Sequence, residues 1–396
     1  MKGKYLSAGL LIVFMHVGCT ANKKDEIDSV FSNAAQQTEY MLKEVELAKQ
    51  HASKPDLLFP RTLSPSGSLE LVAAGDWTSG FFAGVLWFLY EQSKDDKWLA
   101  LARQYTTGIE KEKMNGRTHD MGFKIYNSFG SGYRLTGDTA YKQVIIQSAK
   151  TLSTRYNPNT GVTRSWDHNK AKWTNPVIID NMMNLELLFE ASLLTGDSSF
   201  YNIAVSHADQ TIKNHFRDDY SSYHVVDYDP QSGDIIKKTT HQGYSDDSAW
   251  ARGQAWALYG YVMCYRYTKH SRYLQQAEHI ASYILNHPNM PEDLVPYWDF
   301  DAPNIPNEPR DASAAAIIAS GLYELSGYSE KENYKEIADK IISNLTASYR
   351  SSFGENKGFL LLHSTGSKPS NLEVDVPLNY ADYYYLEALL RKDRSQ

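Results

Sequence analysis

Asp180 is surrounded by Ile and Met in the apolar stretch VIIDNMMNLELLF (177–189), which is typical of a buried helix and whose other acid is Glu186. Because burial disfavours a charged carboxylate, such a side chain is expected to keep its proton near neutral pH. A carboxylic acid in that state can give a proton to a substrate and take one from water. A second isolated acid, Asp120, is expected to lie on an earlier helix. Two such acids near Trp, His and Arg indicate a carbohydrate-processing site, although structural carboxylates that cap helices or pair with Arg occupy similar places.

Aromatic and polar residues recur where successive helices are expected to begin. The candidate site residues are Trp77, Trp166, His224, His241, Gln242, Trp250, Arg252 and Trp256, together with the two acids. Their recurrence at equivalent points predicts that they meet at one rim of the fold. Trp rings suit sugar faces but also fill helical cores. Arg252 can bind a substrate carboxylate with two hydrogen bonds or form an internal ion pair with an Asp.

Helical hairpins repeat along the chain. Gly137-Asp138 and Gly196-Asp197 each combine a residue that can end a helix with a residue that can cap the next one. Amphipathic helices alternate with nearly all-apolar ones, a pattern that predicts two concentric helical rings. About six hairpins fit the length, so we expect an all-α fold, an (α/α)6 toroid, as one domain over residues 36–396. Minor strands are predicted at 223–228, 233–236 and 358–363.

Composition and known motifs exclude several classes of function. The 396 residues carry a net charge of -7 and no long basic run, which argues against a nucleic-acid partner. The sequence has no HExxH or CxxC metal motif, no Gly-rich nucleotide loop and no GxSxG nucleophile elbow. We therefore expect no metal and no cofactor, and a small molecule as the partner.

The N-terminus has a pattern that is typical of an export signal. Basic Lys2 and Lys4 precede an apolar run, and Gly18-Cys19 lie at its polar boundary. We expect a signal peptide over residues 1–18, lipidation of Cys19 and a tether over residues 19–35, which would make the protein a periplasmic lipoprotein anchored to a Gram-negative membrane. The alternative is a plain cleaved signal. Cys264 is the other cysteine and is expected to be buried and unpaired.

Several segments together resemble glycoside hydrolase family 88, the unsaturated glucuronyl hydrolases. The matching stretches include HDMGF (119–123), IIDNMMNLELL (178–188), YHVVDYDP (223–230), HQGYSDDSAWARGQAW (241–256), PYWDFDAP (296–303) and NYADYYYLEALLR (379–391). They cover nearly the whole chain after residue 35 in consistent order. The resemblance implies the toroid fold and a substrate with a 4,5-unsaturated uronic acid at its non-reducing end. It also implies the reaction, in which an acid protonates C4 of the vinyl ether, water adds at C5, and the resulting hemiketal opens and releases the next sugar.

The resemblance also assigns roles by position in the motifs. Asp180 would be the general acid and base, and Asp120 the second essential carboxylate. His224, Gln242 and Arg252 would engage the uronate or the developing charge, and Trp77, Trp166, Trp250 and Trp256 would form aromatic walls. Ser364, Ser367 and Lys368 fall where some family members contact a sulfate on the following amino sugar.

Three functions remain open on the sequence alone. The first is an unsaturated uronyl hydrolase that acts on glycosaminoglycan disaccharides and oligosaccharides. The second is another toroid enzyme, such as an unsaturated rhamnogalacturonyl hydrolase acting on plant or algal fragments, a conventional glycosidase or a sugar epimerase. The third is a non-catalytic glycan-binding lipoprotein. The combination of Asp120, Asp180 and Arg252 favours the first.

Overall fold

Helix ends follow the glycine–aspartate turns that the sequence predicts. In the computed structural model, Gly137 and Gly196 have left-handed φ angles of +67° and +74°, and each ends a helix. The carboxylates of Asp138 and Asp197 then each accept a hydrogen bond from a backbone N–H two residues later. Each turn therefore stops one helix and starts the next, which joins neighbouring helices as hairpins.

Twelve α-helices make up most of the described chain, residues 17–331 and 333–394. They are α1 (Val17–Gln50), α2 (Ser79–Ser93), α3 (Asp96–Thr107), α4 (Ser131–Thr136), α5 (Thr139–Ser153), α6 (Asn181–Thr195), α7 (Ser198–His215), α8 (Ala251–Thr268), α9 (Ser271–Asn286), α10 (Ala312–Leu325), α11 (Tyr334–Asn344) and α12 (Asn379–Arg394). A π-helical segment, Gly122–Gly130, runs directly into α4.

The helices form two concentric rings. The inner ring consists of α2, the π-helical segment with α4, α6, α8, α10 and α12, and each contacts the next in a closed cycle. In α10, every residue except Glu324 is buried, whereas the outer helix α9 buries only one face. This difference arises because an inner helix is covered on both sides and an outer helix on one. The predicted (α/α)6 toroid is confirmed.

The outer ring is completed by α1, which packs beside the C-terminal helix α12. Ile27, Val30, Phe31 and Ala34 on α1 are all buried in the core. Residues 26–35 were predicted to belong to a tether, so the boundary at residue 36 is placed too late. The apolar side chains of this segment supply one wall of the barrel, which a solvated tether would not do.

Short β-strands lie in the loops at the rim. They are β1 (Phe59–Leu63), β2 (Leu69–Val72), β3 (Tyr156–Asn157), β4 (Val162–Thr163), β5 (Pro176–Ile178), β6 (Val225–Tyr228), β7 (Ile235–Thr239), β8 (Ser364–Ser367) and β9 (Leu372–Val376). The predicted β6–β7 hairpin is present, and β5 adds to it as a third antiparallel strand. The strand predicted at 358–363 is reduced to one antiparallel bridge between Leu361 and Arg350: Gly358 ends a 3-10 turn with φ +90°, and the paired strand β8 begins at Ser364.

The N-terminal predictions fall largely outside what the structure describes. The structure does not describe the signal segment up to residue 16 or the side chain of Cys19. No helix in residues 17–331 and 333–394 has both the length and the apolar character needed to cross a membrane. Cys264 is a free, buried cysteine on inner helix α8.

Candidate active site

Asp180 lies at the junction between a strand and an inner helix. The strand β5 ends at Ile178, and α6 begins at Asn181, with Asp180 as the residue before its first turn. The sequence predicted one helical run over 177–189, but its first residues are extended because they pair with β6. The carboxyl group therefore stands at the rim end of an inner helix, where loops from other hairpins can reach it.

The register of the small sheet brings a histidine to this carboxyl group. Ile178 pairs with Val225 across β5 and β6, and the N–H of Ile179 donates to the carbonyl of His224 at 3.1 Å. The Nε2 atom of His224 then lies 3.8 Å from Oδ2 of Asp180. Two residues that are far apart in sequence thus meet because of strand pairing.

The environment of Asp180 favours its protonated form. The residue is 8% exposed, and its Oδ2 atom is buried with no hydrogen-bond partner among the described residues. Burial raises the pKa of Asp180 to about 7; the charge on Arg252 lowers this pKa, and the charge on Asp120 raises it. A carboxyl group with such a pKa can both donate and accept a proton near neutral pH.

A second buried carboxyl group shows what a purely structural acid looks like here. Burial also raises the pKa of Asp382, on α12, to about 7. Its two oxygens accept hydrogen bonds from the backbone N–H groups of Leu360 and Leu361, at 3.0 and 2.9 Å. Asp382 therefore holds a loop in place, whereas Oδ2 of Asp180 is buried without a hydrogen-bond partner among the described residues.

His224 is held as a neutral hydrogen-bond donor. Its Nδ1 atom accepts hydrogen bonds from the backbone N–H groups of His241 and Gln242, each at 3.1 Å. An accepting Nδ1 leaves the single proton of a neutral imidazole on Nε2. Burial, aided by nearby positive charge, holds the pKa of His224 well below its ordinary value. The Nε2–H group has no hydrogen-bond partner among the described residues, so it can donate to a group that binds beside Asp180.

Asp120 is positioned by its own turn. The Thr118 hydroxyl donates to Oδ2 of Asp120 at 2.8 Å, and Nε2 of His119 lies 3.1 Å from its Oδ1. Nδ1 of His119 is anchored in turn to the carbonyl of Ser165 at 3.0 Å. The π-helical segment begins two residues after Asp120, which places this second carboxyl group at the same rim as Asp180.

Arg252 is fully committed to internal contacts. Its Nη1 atom donates to Asp311 at 2.7 Å and to the carbonyl of Thr365 at 2.5 Å, and its Nη2 atom donates to the carbonyl of Gly366 at 2.5 Å. The guanidinium also lies over the ring of Trp250, 4.5 Å from its centroid. The internal ion pair that the sequence left open is therefore present. From this position, the positive charge of Arg252 lowers the pKa of Asp180 without a direct contact.

One aromatic group forms a wall beside the histidines. The Trp166 ring lies 5.2 Å from His241, 5.4 Å from Trp173 and 5.9 Å from His224, measured between centroids. Trp250 contacts His224 from another side at 4.6 Å. Trp166 keeps part of its surface exposed, which suits a ring that meets a sugar, whereas Trp250 is buried.

A second aromatic group lies on the side of α2 and α12. The centroid of Trp77 lies 5.0 Å from Tyr380 and 5.4 Å from Phe123, and Phe123 lies 5.1 Å from Trp256. Trp256 is completely buried, but its indole N–H has no hydrogen-bond partner in the described part of the chain. This N–H is close enough to Asp180 to lower its pKa.

The β8–β9 hairpin covers another side of the site. The Gln242 side chain donates to the carbonyl of Gly366 at 3.1 Å, the same carbonyl that Arg252 binds. Ser364 is completely buried, and Ser367 and Lys368 are partly exposed. The hydroxyl groups of both serines have no hydrogen-bond partner within the described chain.

Sequence reasoning missed several residues of this site. Asp311 and Tyr380 surround Arg252, Trp173 supports Trp166, and Phe123 links two of the tryptophans. Phe123 and Tyr380 lie in motifs that were noted only as a whole, and Asp311 and Trp173 lie outside those motifs, so nothing singled them out. Within residues 17–331 and 333–394, no group of three His, Cys, Asp or Glu side chains is arranged to hold a metal ion.

Comparisons with known proteins identify the family of this chain. The family model Glycosyl Hydrolase Family 88 matches residues 60–389. An unsaturated glucuronyl hydrolase of Formosa agariphila is 51% identical over 337 residues, which is 84% of each chain. The crystal structure of an unsaturated glucuronyl hydrolase specific for heparin has a TM-score of 0.87 at 44% identity, covering 93% of this chain and 97% of that one.

A further solved structure contains a bound disaccharide. It is an unsaturated glucuronyl hydrolase variant from Streptococcus agalactiae in complex with dGlcA-GalNAc6S. It has a TM-score of 0.75 at 30% identity and covers 93% of this chain and 91% of that one. The family match extends over more than half of the chain, and a curated relative exceeds half identity. The chain therefore belongs to glycosyl hydrolase family 88 and is a glycoside hydrolase.

Proposed function

We propose that this enzyme removes the 4,5-unsaturated uronic acid from the non-reducing end of glycosaminoglycan disaccharides and oligosaccharides produced by lyases. The observation that carries this proposal is the buried Asp180 carboxyl group, with its pKa raised to about 7 and a free Oδ2 atom. The relatives named above support this substrate class over fragments of plant or algal polysaccharides, because one is specific for heparin and another was solved with dGlcA-GalNAc6S.

The reaction begins with proton transfer from Asp180 to C4 of the unsaturated ring. The electron pair of the C4=C5 bond forms the new C4–H bond, and positive charge develops at C5 and the ring oxygen. A water molecule forms the C5–O bond and returns its proton to the Asp180 carboxylate. The hemiketal at C5 opens to a ketone, and the exposed C1 hemiacetal releases the next sugar. One carboxyl group thus serves as acid and then as base.

The surrounding residues shape this proton transfer. His224 offers its Nε2–H beside Oδ2 of Asp180, where it can bind the water or an oxygen of the ring. Asp120, with its oxygens at the rim, is suited to hold ring hydroxyl groups. The nearby charge of Arg252 favours the ionised form of Asp180, which lowers the cost of the first step. The half-exposed ring of Trp166 offers a face to the sugar.

Deuterium labelling tests the proposed chemistry. In D2O, hydration places deuterium on one face of C4, and the ultraviolet absorbance of the double bond disappears as the second sugar is released. Direct hydrolysis at C1 would not need the double bond, so it would also cleave saturated disaccharides. The unsaturated acid it releases would open to an enol that takes up deuterium at C4 from solution on both faces. A panel of unsaturated and saturated disaccharides, followed by absorbance and NMR, separates the two reactions.

We also propose that the β8–β9 hairpin contacts a substituent, such as a sulfate, on the second sugar. Support comes from the unpartnered hydroxyl group of Ser367 and the neighbouring cation of Lys368. The carbonyl of Gly366 in the same hairpin binds Arg252 and Gln242, which ties it to the site. Ser364, being completely buried, would support the hairpin or bind only after a side chain moves.

We propose further that the protein is exported and lipidated at Cys19. The basic start, the apolar run and Gly18-Cys19 support this localisation, in the periplasm of a Gram-negative cell. Mass spectrometry of the mature N-terminus tests it: a diacylglycerol thioether on Cys19 supports the proposal, and an unmodified N-terminus at another residue contradicts it. In the lipidated case, Cys19→Ala is expected to move the enzyme from the membrane fraction to the soluble fraction.

A further inference from the structure

The side chain of Asn184 links the two segments that carry the acids. Asn184 is 2% exposed and lies one helical turn after Asp180 on α6. Its Oδ1 atom accepts hydrogen bonds from the backbone N–H groups of Gly122, at 2.8 Å, and Phe123, at 3.1 Å. Its Nδ2 atom donates to the carbonyl of Asp180 at 3.4 Å. One amide thus contacts the start of the π-helical segment after Asp120 and the residue that carries the proton.

These contacts satisfy groups that the helix itself leaves unpaired. The first N–H groups of any helix have no partner within it and need an acceptor when they are buried. Here the acceptor comes from a different inner helix rather than from a local capping residue. The π-helical segment, with Asp120 two residues before it, is therefore placed relative to α6 by a side chain.

The two backbones also approach very closely at this point. A Cβ atom added to Gly122 would lie 2.7 Å from Cα of Asn184 and 2.9 Å from its Oδ1 atom. Because backbone atoms cannot move away cheaply, any side chain at residue 122 would push the two segments apart. Gly122 and Asn184 thus form one contact, here called the Asn184 clamp, which admits little variation in spacing.

We propose that Asn184 is a positioning residue for the hydrolase reaction, and that the Asn184 clamp sets the distance between the carboxyl groups of Asp120 and Asp180. The distance between the two carboxyl groups matters in two ways. It aligns both groups with one sugar ring, and it determines how strongly the charge of Asp120 raises the pKa of Asp180. The inference rests on the proposed function only for its kinetic readout.

Other groups also act on these carboxyls and must stay constant in a test. They are Arg252 and Trp256 on α8, His224 beside β6, Thr118 and His119 in the Asp120 turn, and Arg155 and Lys124 near His119. None of them makes a hydrogen bond to the Asn184 side chain. A change in Asn184 therefore acts on the acid pair through spacing, and through charge only if the new side chain is charged.

The test compares the pH dependence of kcat/KM in Asn184→Ala, Asn184→Asp and Gly122→Ala. Asn184→Ala and Gly122→Ala separate the segments, so we expect kcat to fall by about 100-fold with KM changed far less. The charge of Asp120 then acts on Asp180 from farther away, so the pKa of Asp180 is lower. The alkaline limb of the profile, where kcat/KM falls as Asp180 loses its proton, therefore moves to lower pH. Asn184→Asp keeps the acceptor for both N–H groups and adds a negative charge, so it retains more activity and moves the limb to higher pH.

Asn214→Ala is the matched control. Asn214 is also buried, but it lies on outer helix α7 and donates to the hydroxyl of Tyr228. We expect it to lower stability without moving the pH limb. The inference is overturned if the alkaline limb stays at the wild-type pH in both Asn184→Ala and Gly122→Ala. It is also overturned if the limb moves in the same direction in Asn184→Ala and Asn184→Asp.

A second readout does not depend on turnover. The pKa of Asp180 can be obtained from the difference in unfolding free energy between wild type and Asp180→Asn, measured as a function of pH. The same difference is then measured with Gly122→Ala present in both proteins. We expect the pH-dependent difference to be smaller in the Gly122→Ala background, and an unchanged difference would contradict the clamp. An inactive wild type that still shows the expected change would refute the proposed function and leave the clamp supported.

Discussion

The Nε2 atom of His224 lies 3.8 Å from Oδ2 of Asp180, and neither atom has a hydrogen-bond partner within the described chain. The two groups face each other across a gap that is too long for a hydrogen bond and that a substrate or water oxygen can use. Both atoms are buried and would be costly to leave unpaired in a purely structural role. Their arrangement indicates a site prepared for a ligand.

Replacing His224 tests this interpretation. His224→Phe keeps the ring in place but removes the N–H beside Asp180, so we expect kcat to fall by about 100- to 1,000-fold. The measurement is steady-state kinetics on an unsaturated disaccharide, with circular dichroism as the check on folding. His279→Phe is a suitable control because His279 is exposed on outer helix α9. Nearly unchanged turnover in His224→Phe would contradict the assigned role.

The pH dependence of activity should report the proton on Asp180. The protonated acid is required for the first step, and its pKa lies at about 7. We therefore expect kcat/KM to fall as the pH rises through about 7. Initial rates measured across the neutral range provide the test, and a rate that stays constant to much higher pH would contradict the assignment of Asp180 as the acid.

Stability should depend on pH through the same group. Burial raises the pKa of Asp180 from 3.8 to about 7, so between these values the folded protein holds a proton that the unfolded chain has lost. Stability therefore falls as the pH rises through this window, by up to about 1.4 kcal/mol per pH unit, and the loss is complete above the folded pKa.

Asp180→Asn removes this dependence. We expect the variant to gain stability relative to wild type as the pH rises from about 5 to about 8. Urea unfolding at several pH values measures the difference. The other acids whose pKa is raised by burial, Asp382, Asp299 and Glu186, are common to both proteins and cancel in the comparison. A difference that stays constant with pH would show that the carboxyl group keeps an ordinary pKa.

The Arg252–Asp311 pair should be important for stability. Arg252→Met leaves the Asp311 carboxylate buried without its cation, which costs about 3–5 kcal/mol. Arg252→Met with Asp311→Asn removes both charges and keeps an oxygen to cap α10, so it should recover part of that loss. Chemical unfolding of the two single variants and the double variant measures the coupling, and strictly additive effects would show that the pair is not coupled.

The β8–β9 hairpin should discriminate between sulfated and unsulfated substrates. Ser367→Ala with Lys368→Ala should raise KM for a sulfated unsaturated disaccharide and leave the unsulfated one nearly unchanged. Parallel kinetics on both substrates provide the control within one experiment. Equal turnover of the sulfated disaccharide by the variant and the wild type would contradict sulfate recognition by this hairpin.

Local rules in the sequence were enough to predict the rings. The turns at Gly137-Asp138 and Gly196-Asp197 follow from backbone freedom and capping, which act within a few residues. The β6–β7 hairpin also follows from alternation and a short turn. The recurrence of polar and aromatic residues where helices were expected to begin predicted a rim position for Asp180, and Asp180 does lie where α6 begins.

Long-range contacts could not be read in the same way. Arg252 could pair with any of many Asp residues, and its choice of Asp311 depends on how α8 and α10 lie in the ring. The strand β5 was hidden because apolar residues 176–178 suit a helix equally well until β6 is available to pair with them. The 358–363 strand was displaced for a related reason, since Leu361 makes only an isolated bridge with Arg350 and pairing with β9 begins at Ser364.

The most direct measurement is the turnover of an unsaturated glycosaminoglycan disaccharide by wild type and by Asp180→Asn, followed by the absorbance of the double bond. Asp209→Asn, on outer helix α7 where Asp209 pairs with Arg272, controls for loss of a carboxylate. The wild type and the control should consume the double bond at equal rates. Asp180→Asn should remain folded and lose activity by more than about 1,000-fold, whereas a folded Asp180→Asn variant with near wild-type turnover would contradict the mechanism.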